Sequence, residues 1–158
     1  MARRLEVLEA YYKSLPNRIM GLYGDHRPLS NFHEEPFIWQ DVLWPSSENA
    51  YQAAKTNPDD WARFCVMTPK EAKKAGRTVS MYWPDWDRQK LDIMRDILNA
   101  KFRQCSLARL VLLSTIHKHI EECNWWGDVY WGTCDGKGEN NLGKTLMEIR
   151  DKFISGGW

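Results

Sequence analysis

The chain has almost no net charge: 22 Lys and Arg stand against 21 Asp and Glu, leaving +1 over 158 residues. That balance removes the electrostatic basis for general attraction to nucleic acid or to a membrane surface, each of which needs a basic excess. No apolar run approaches the roughly 18 residues needed to cross a bilayer, so no membrane association is expected. The N-terminal MARRLEVLEAYY places Leu5, Leu8 and Tyr12 on one helical face, and Glu6 and Glu9 break any signal-peptide core. Cysteine is sparse too. Cys65, Cys105, Cys123 and Cys134 lack the close pairing of a zinc site, and without a secretory signal they read as reduced thiols of a cytoplasmic protein. His117 and His119 lie two positions apart, which on a helix turns them in different directions, so neither a metal with Cys123 nor any other cofactor is expected. There is no internal repeat, no Walker loop and no dinucleotide-type GxGxxG after a strand.

Tryptophan is what the chain has in excess. Nine Trp, six Tyr and five Phe exceed the needs of the single core that a domain of this length buries. At least half of these rings belong to core or rim packing. The remainder suit a pocket whose walls stack on a flat heterocycle.

Along the chain, Arg18 to Tyr23 reads as a short strand ending at the Gly24-Asp25 turn. Phe37-Ile38-Trp39 and Val42-Leu43-Trp44 flank Gln40-Asp41 as a hairpin. Pro45-Ser46-Ser47-Glu48 opens a helix on which Glu48, Gln52 and Lys55 share a face. Asn57-Pro58-Asp59 and Thr68-Pro69 start two more helices, the second ending near Gly76-Arg77. Pro84 begins the longest helical pattern, which runs to about Gln104, and Leu107 to Ile116 reads as a more deeply buried segment. From His117 to Gly143 the chain is rich in Gly, Asn, Asp and Trp with little period, the signature of a functional loop. Leu142 to Ile154 closes as a helix.

Two acids stand out because each sits among tryptophans, Glu48 after WPSS and Asp128 within WWGDVYWG. Cleaving a glycosidic bond passes through an oxocarbenium-like state that one carboxylate stabilises while another acid protonates the leaving group. Gly136-Lys137-Gly138 before the last helix offers amides and a lysine to a phosphate, although a ligand-free turn is the default reading of so short a pattern.

Taken in order, Leu29-Ser30-Asn31-Phe32, Trp44-Pro45-Ser46-Ser47-Glu48, Tyr51-Gln52-Ala53, Lys55, Ala75-Gly76-Arg77, Ala100-Lys101-Phe102, Tyr130-Trp131-Gly132, Gly138, Asn140, Leu142-Gly143 and Leu146-Met147-Glu148-Ile149-Arg150 resemble the NADAR/YbiA-like family, from about Ile19 to Phe153. The resemblance implies a compact, mainly helical α+β domain with a small β-sheet over 19–154, a helical extension at 1–18 and a tail at 155–158. It implies N-glycosidase activity without a metal or redox cofactor. The substrates it implies are aminated ribosyl-pyrimidine phosphates or ADP-ribosylated guanine, and thus an ADP-ribose-like or ribose-phosphate partner, free or on DNA. Carried onto this chain, it makes Glu48 the catalytic acid/base, Asp128 its acidic partner and Trp131 a pocket wall. Asn31, Phe32, Tyr51, Lys55, Arg77, Lys101, Gly132 and Asn140 become substrate-binding positions.

Two positions depart from the family pattern: Asn49 replaces the usual His, and Asn141 replaces a basic residue after Gly-x-Asn. Both lose positive charge. They motivate a second reading, a module that binds ADP-ribose or NAD without hydrolysing it. The tryptophan excess motivates a third, a protein-interaction domain.

Overall fold

Ser46, in extended conformation, accepts the Asn49 amide on its side chain and thereby caps α1 (Ser47–Ala54), as the WPSS motif predicts. A 3-10 turn, Pro58–Asp60, leads into α2 (Trp61–Cys65). Thr68 and Glu71 form a reciprocal capping box, with Pro69 at the first helical position, and start α3 (Pro69–Gly76). These short helices surround α1, all eight of whose residues are buried. Ala50, Ala53 and Ala54 make that possible, because a helix enclosed on every side needs small residues where its neighbours approach.

The longest helix, α4 (Trp86–Gln104), buries Trp86, Met94, Ile97, Leu98, Lys101 and Phe102 and packs on α1 and on the hairpin. A sharp turn at Cys105 begins α5 (Ser106–Ser114), whose free amides at Leu107 and Ala108 donate to the Glu35 carboxylate at 3.1 and 3.0 Å. The deep burial expected for Leu107 to Ile116 is not found. Leu107, Leu110 and Ile116 are exposed, because α5 lies at the edge and covers the core with the stripe of Ala108 and Leu112, flanked by Val111. The final helix, α6 (Asn141–Ser155), is preceded by Asn140 in the left-handed conformation and terminated by left-handed Gly156. Its buried Arg150 donates to the Thr115 and Lys118 carbonyls at 2.9 and 2.7 Å, tying α6 to the chain that leaves α5.

This structure is a computed structural model, and residues 17–157 are described; the helix expected over Met1 to Tyr12 lies outside them. The β structure among them is three two-stranded ladders rather than one sheet. Strand β1 (Arg18–Met20) pairs in parallel with β4 (His119–Glu121), and β2 (Phe37–Trp39) pairs antiparallel with β3 (Val42–Trp44). The third ladder joins β5 (Cys123–Asn124) to β6 (Thr133–Cys134) in parallel. Gln40 and Asp41 both take positive φ, the two-residue turn whose twist suits a hairpin even though neither is glycine. A 3-10 helix over Gly24–Leu29 follows β1. The fold is thus α+β and mainly helical, and no helix among the described residues is long and apolar enough to cross a membrane.

Lys101 is fully buried and donates to the Ser30 carbonyl at 2.9 Å, and burial pulls its ammonium down to about 8. An unfolded chain holds that proton more tightly, so between about 8 and the ordinary lysine value the unfolded state binds more protons and folding stability rises with pH. Denaturant titrations of wild type and Lys101→Met at pH 7.5 and pH 10 are expected to show a gain in wild type that the variant lacks; equal changes would refute it.

Candidate active site

The start of α1 is pinned to the loop before it. The Glu48 amide donates to the Asn31 carbonyl at 2.9 Å, and the Ser47 hydroxyl donates to Asn31 Oδ1 at 2.9 Å. Asn31 Nδ2 reaches Met94 Sδ on α4 at 3.6 Å, and Lys101 holds the preceding carbonyl. Asn31 and Lys101, both candidate ligand contacts in the sequence, therefore direct these groups to other parts of the protein and fix the loop that presents Phe32.

Glu48 is only 6% exposed, and Gln52 Nε2 donates to its Oε1 at 2.7 Å. A side chain at Gly76 would collide with the Gln52 amide oxygen, so the glycine before Arg77 leaves room for Gln52. Burial pushes the Glu48 carboxyl upward and the Asp128 charge pushes the same way, while the Gln52 hydrogen bond, Lys73 and Lys55 oppose them. Lys55, whose Nζ lies 5.5 Å from the Tyr51 ring, is pulled downward by burial, which leaves more of its amine unprotonated than an exposed lysine would have. Arg77, exposed at the end of α3, is near enough to add to that lowering.

The aromatic walls come from four segments. Tyr51 packs edge-on against Trp131 with ring centres 5.5 Å apart and is tilted against Trp86 at 5.4 Å. Tyr130 meets Trp131 edge-on at 4.9 Å, and Lys90 lies 4.1 Å over the Tyr130 ring. Across from these, Lys73 sits between Phe32 and Trp126, 5.2 and 5.3 Å from the two ring centres.

The segment from His117 to Gly143 is not structureless, for it contributes β4, β5 and β6 and is stitched by side-chain amides. Asn124 accepts the Asp128 amide and donates to the Asp128 and Thr133 carbonyls. Asp128 Oδ1 accepts the amides of Tyr130 and Trp131 at 3.1 and 2.9 Å, so the acid singled out in the sequence also shapes the turn that aims Trp131. Asn140 accepts the Glu122 amide and donates to the Ile120 carbonyl, which makes it a brace of the loop. Gly136 and Lys137 are exposed in the turn beside the Cys134–Lys137 bridge.

The two departures from the family pattern have local causes. Asn49 is buried and gives both amide hydrogens to the Phe64 and Met67 carbonyls at the end of α2. Asn141 donates to the Tyr130 carbonyl and to Glu139.

The structure thus brings Glu48, Lys55, Tyr51, Asp128, Trp131 and Phe32 near one another. It adds Lys73, Lys90, Trp126, Tyr130 and Glu122, of which only Tyr130 belongs to a segment that carries the family resemblance. Lys73 was hidden among the solvated lysines of α3, and Glu122 among the polar residues at the start of the loop. Among the described residues no cluster of His, Cys, Asp and Glu is arranged to hold a metal.

The sequence profile of the NADAR domain matches residues 21–154. The chain is 36% identical over 135 residues to the N-glycosidase YbiA of Escherichia coli K12, covering 83% of this chain and 82% of that protein. It is 37% identical over 132 residues to an N-glycosidase of Nostoc punctiforme, covering 79% and 84%. The NMR structure of E. coli YbiA superposes with a TM-score of 0.77 at 31% identity, over 90% of this chain and 89% of that one.

Gly132 packs its α-carbon against the Glu122 carbonyl, and a β-carbon there would collide with that backbone atom. Gly132→Ala is therefore expected to cost about 1–3 kcal/mol of folding stability by overpacking, read as a lower unfolding midpoint. An unchanged midpoint would show that the loop yields.

Proposed function

The chain belongs to the NADAR domain family, and on that footing we propose that it is an N-glycosidase that hydrolyses the bond between a ribose carbon and the nitrogen of a flat heterocycle. The observation that carries this reading is the buried carboxyl of Glu48 set near Asp128 and a group of aromatic rings. Burial raises the Glu48 carboxyl above its ordinary range, which suits it to exchange a proton with a leaving group or a water. A second acid, fixed by backbone amides, stabilises the positive charge that develops at the sugar carbon. Lys55, with Arg77 beside it, suits the phosphate of a ribose phosphate or the pyrophosphate of ADP-ribose. Trp131, Tyr51 and Phe32 suit the base.

The substrate is an aminated ribosyl-pyrimidine phosphate or an ADP-ribosylated guanine. Relatives called riboflavin biosynthesis proteins, such as one from Vibrio vulnificus that is 33% identical over 134 residues, support the first of these. The two are separated by following release of ribosyl product from each in parallel by mass spectrometry. Ligand binding without product from either would leave a binding module instead.

Glu48→Gln is expected to lower kcat by about 10²-fold or more, since it removes proton transfer with little change in volume. It is also expected to melt no lower than wild type at pH 8. A carboxyl whose folded-state value is raised contributes stability below its unfolded value and loses it as pH rises through the folded value, so the neutral amide escapes that loss. A variant that keeps turnover would sink the role, and one that melts well below wild type would make the residue structural.

A further inference from the structure

Glu122 is a third acid near Glu48 and Asp128, and its position is tightly constrained. Its amide is held by Asn140 Oδ1 at 3.0 Å, and its carbonyl accepts the Thr133 amide at 2.8 Å. Gly132 is packed so closely that a β-carbon would strike the Glu122 carbonyl and lie 3.0 Å from its Cγ. Two parts of the loop, Gly132-Thr133 and Asn140, thus converge to hold one glutamate. Yet Glu122 Oε2 is buried without any hydrogen-bond partner. A buried carboxyl oxygen left unsatisfied costs free energy, and such a group needs a reason.

The groups that face it supply the reason. Asp128 and Lys73 are near enough to act on both Glu122 and Glu48. Beyond that shared pair the surroundings differ: Glu48 feels Lys55, whereas Glu122 feels Arg27. Lys73 itself is flanked by Phe32 and Trp126. Glu48 thus has Lys55 nearby, which suits a phosphate, while Glu122 packs against Gly132, the residue that follows Trp131, and so lies by a ring that suits the heterocycle.

We propose that Glu122 is the general acid of the site, protonating the departing base nitrogen, while Glu48 takes the proton from the attacking water. The inference rests on the N-glycosidase reading. The bond between the ribose carbon and nitrogen breaks with its electron pair going to nitrogen, which receives the Glu122 proton. The water oxygen bonds to the ribose carbon, and its proton passes to Glu48. Burial, with the neighbouring Asp128 charge, pushes the Glu122 carboxyl up to about 7, against the pull of Lys73 and Arg27, so near neutrality it carries a proton it can release.

The test uses whichever of the two N-ribosyl substrates the wild type cleaves. Its kcat/KM is expected to fall as pH rises past about 7, since the donor must be protonated, and Glu122→Gln is expected to lose about 10²–10⁴-fold and to lack that alkaline fall. On a 4-nitrophenyl riboside phosphate, whose leaving group departs without a proton, the variant is expected to lose less than 10-fold. Equal losses on both substrates, or a variant that keeps the alkaline fall, would overturn the proposal. Should the wild type refuse the activated substrate, the alkaline limb alone decides. Should the variant fail to fold, a wild-type profile flat from pH 6 to 9 would overturn the proposal equally well. A wild type that cleaves neither N-ribosyl substrate would instead bring down the glycosidase reading.

Discussion

The complete burial of α1 is the constraint to which the other elements answer. A helix with no exposed face cannot leave its polar side chains to water, so each must find a partner inside. Ser46 and Ser47 turn to the helix start and to Asn31, and Asn49 turns to the carbonyls that end α2. Glu48 and Gln52 turn to each other. Gln52 keeps one amide oxygen without a partner, and the helix also carries a carboxyl that burial disfavours in its charged form. Stability alone does not call for either feature at the centre of a core. The carboxyl is near enough to Asp128, Lys73 and Lys55 to feel their charge, and the Gln52 oxygen faces Gly76 of α3.

Rigidity around that face comes from side chains that bind backbone. Lys101 grips Ser30, Asn31 grips the start of α1, and Asn124, Asp128 and Asn140 knit the glycine-rich segment into a defined shape. The acids and aromatic rings are thereby held on elements that cannot easily shift against one another. A site built on loops acquires in this way the precision usually supplied by regular structure.

Much of this was legible in the sequence because it depends on local rules. The capping serine and threonine, the prolines at helix starts and the apolar period of α4 each specify an element without help from distant residues. The hairpin was legible from its aromatic flanks, although the left-handed pair Gln40 and Asp41 carries no glycine signal. The burial of α5 was not legible: a run of leucines reads the same at the centre and at the edge of a domain, and only the placement of α6 and the 3-10 helix decides which face is covered. For the site, Glu48 and Asp128 were visible by their aromatic neighbours. Lys73 and Glu122 were not, because nothing local distinguishes a lysine or glutamate that faces a cleft from one that faces water. Lys101 and Asn140 fit their family motif, but hydrogen-bond geometry shows them bracing the chain around the cleft.

The tryptophans of the loop have an optical consequence. Trp44, Trp86 and Trp39 are buried, whereas Trp125 and Trp126 are 87% and 50% exposed and meet edge-on at 5.0 Å. Because Lys73 lies over Trp126, one indole of that pair meets a lysine that acts on Glu48 while the other looks into solvent. Water shifts indole emission to longer wavelength, so the red edge of the protein's fluorescence is weighted toward this pair. The neighbourhood of Lys73 carries its own dye, and its spectrum will register whatever settles there without any label being attached.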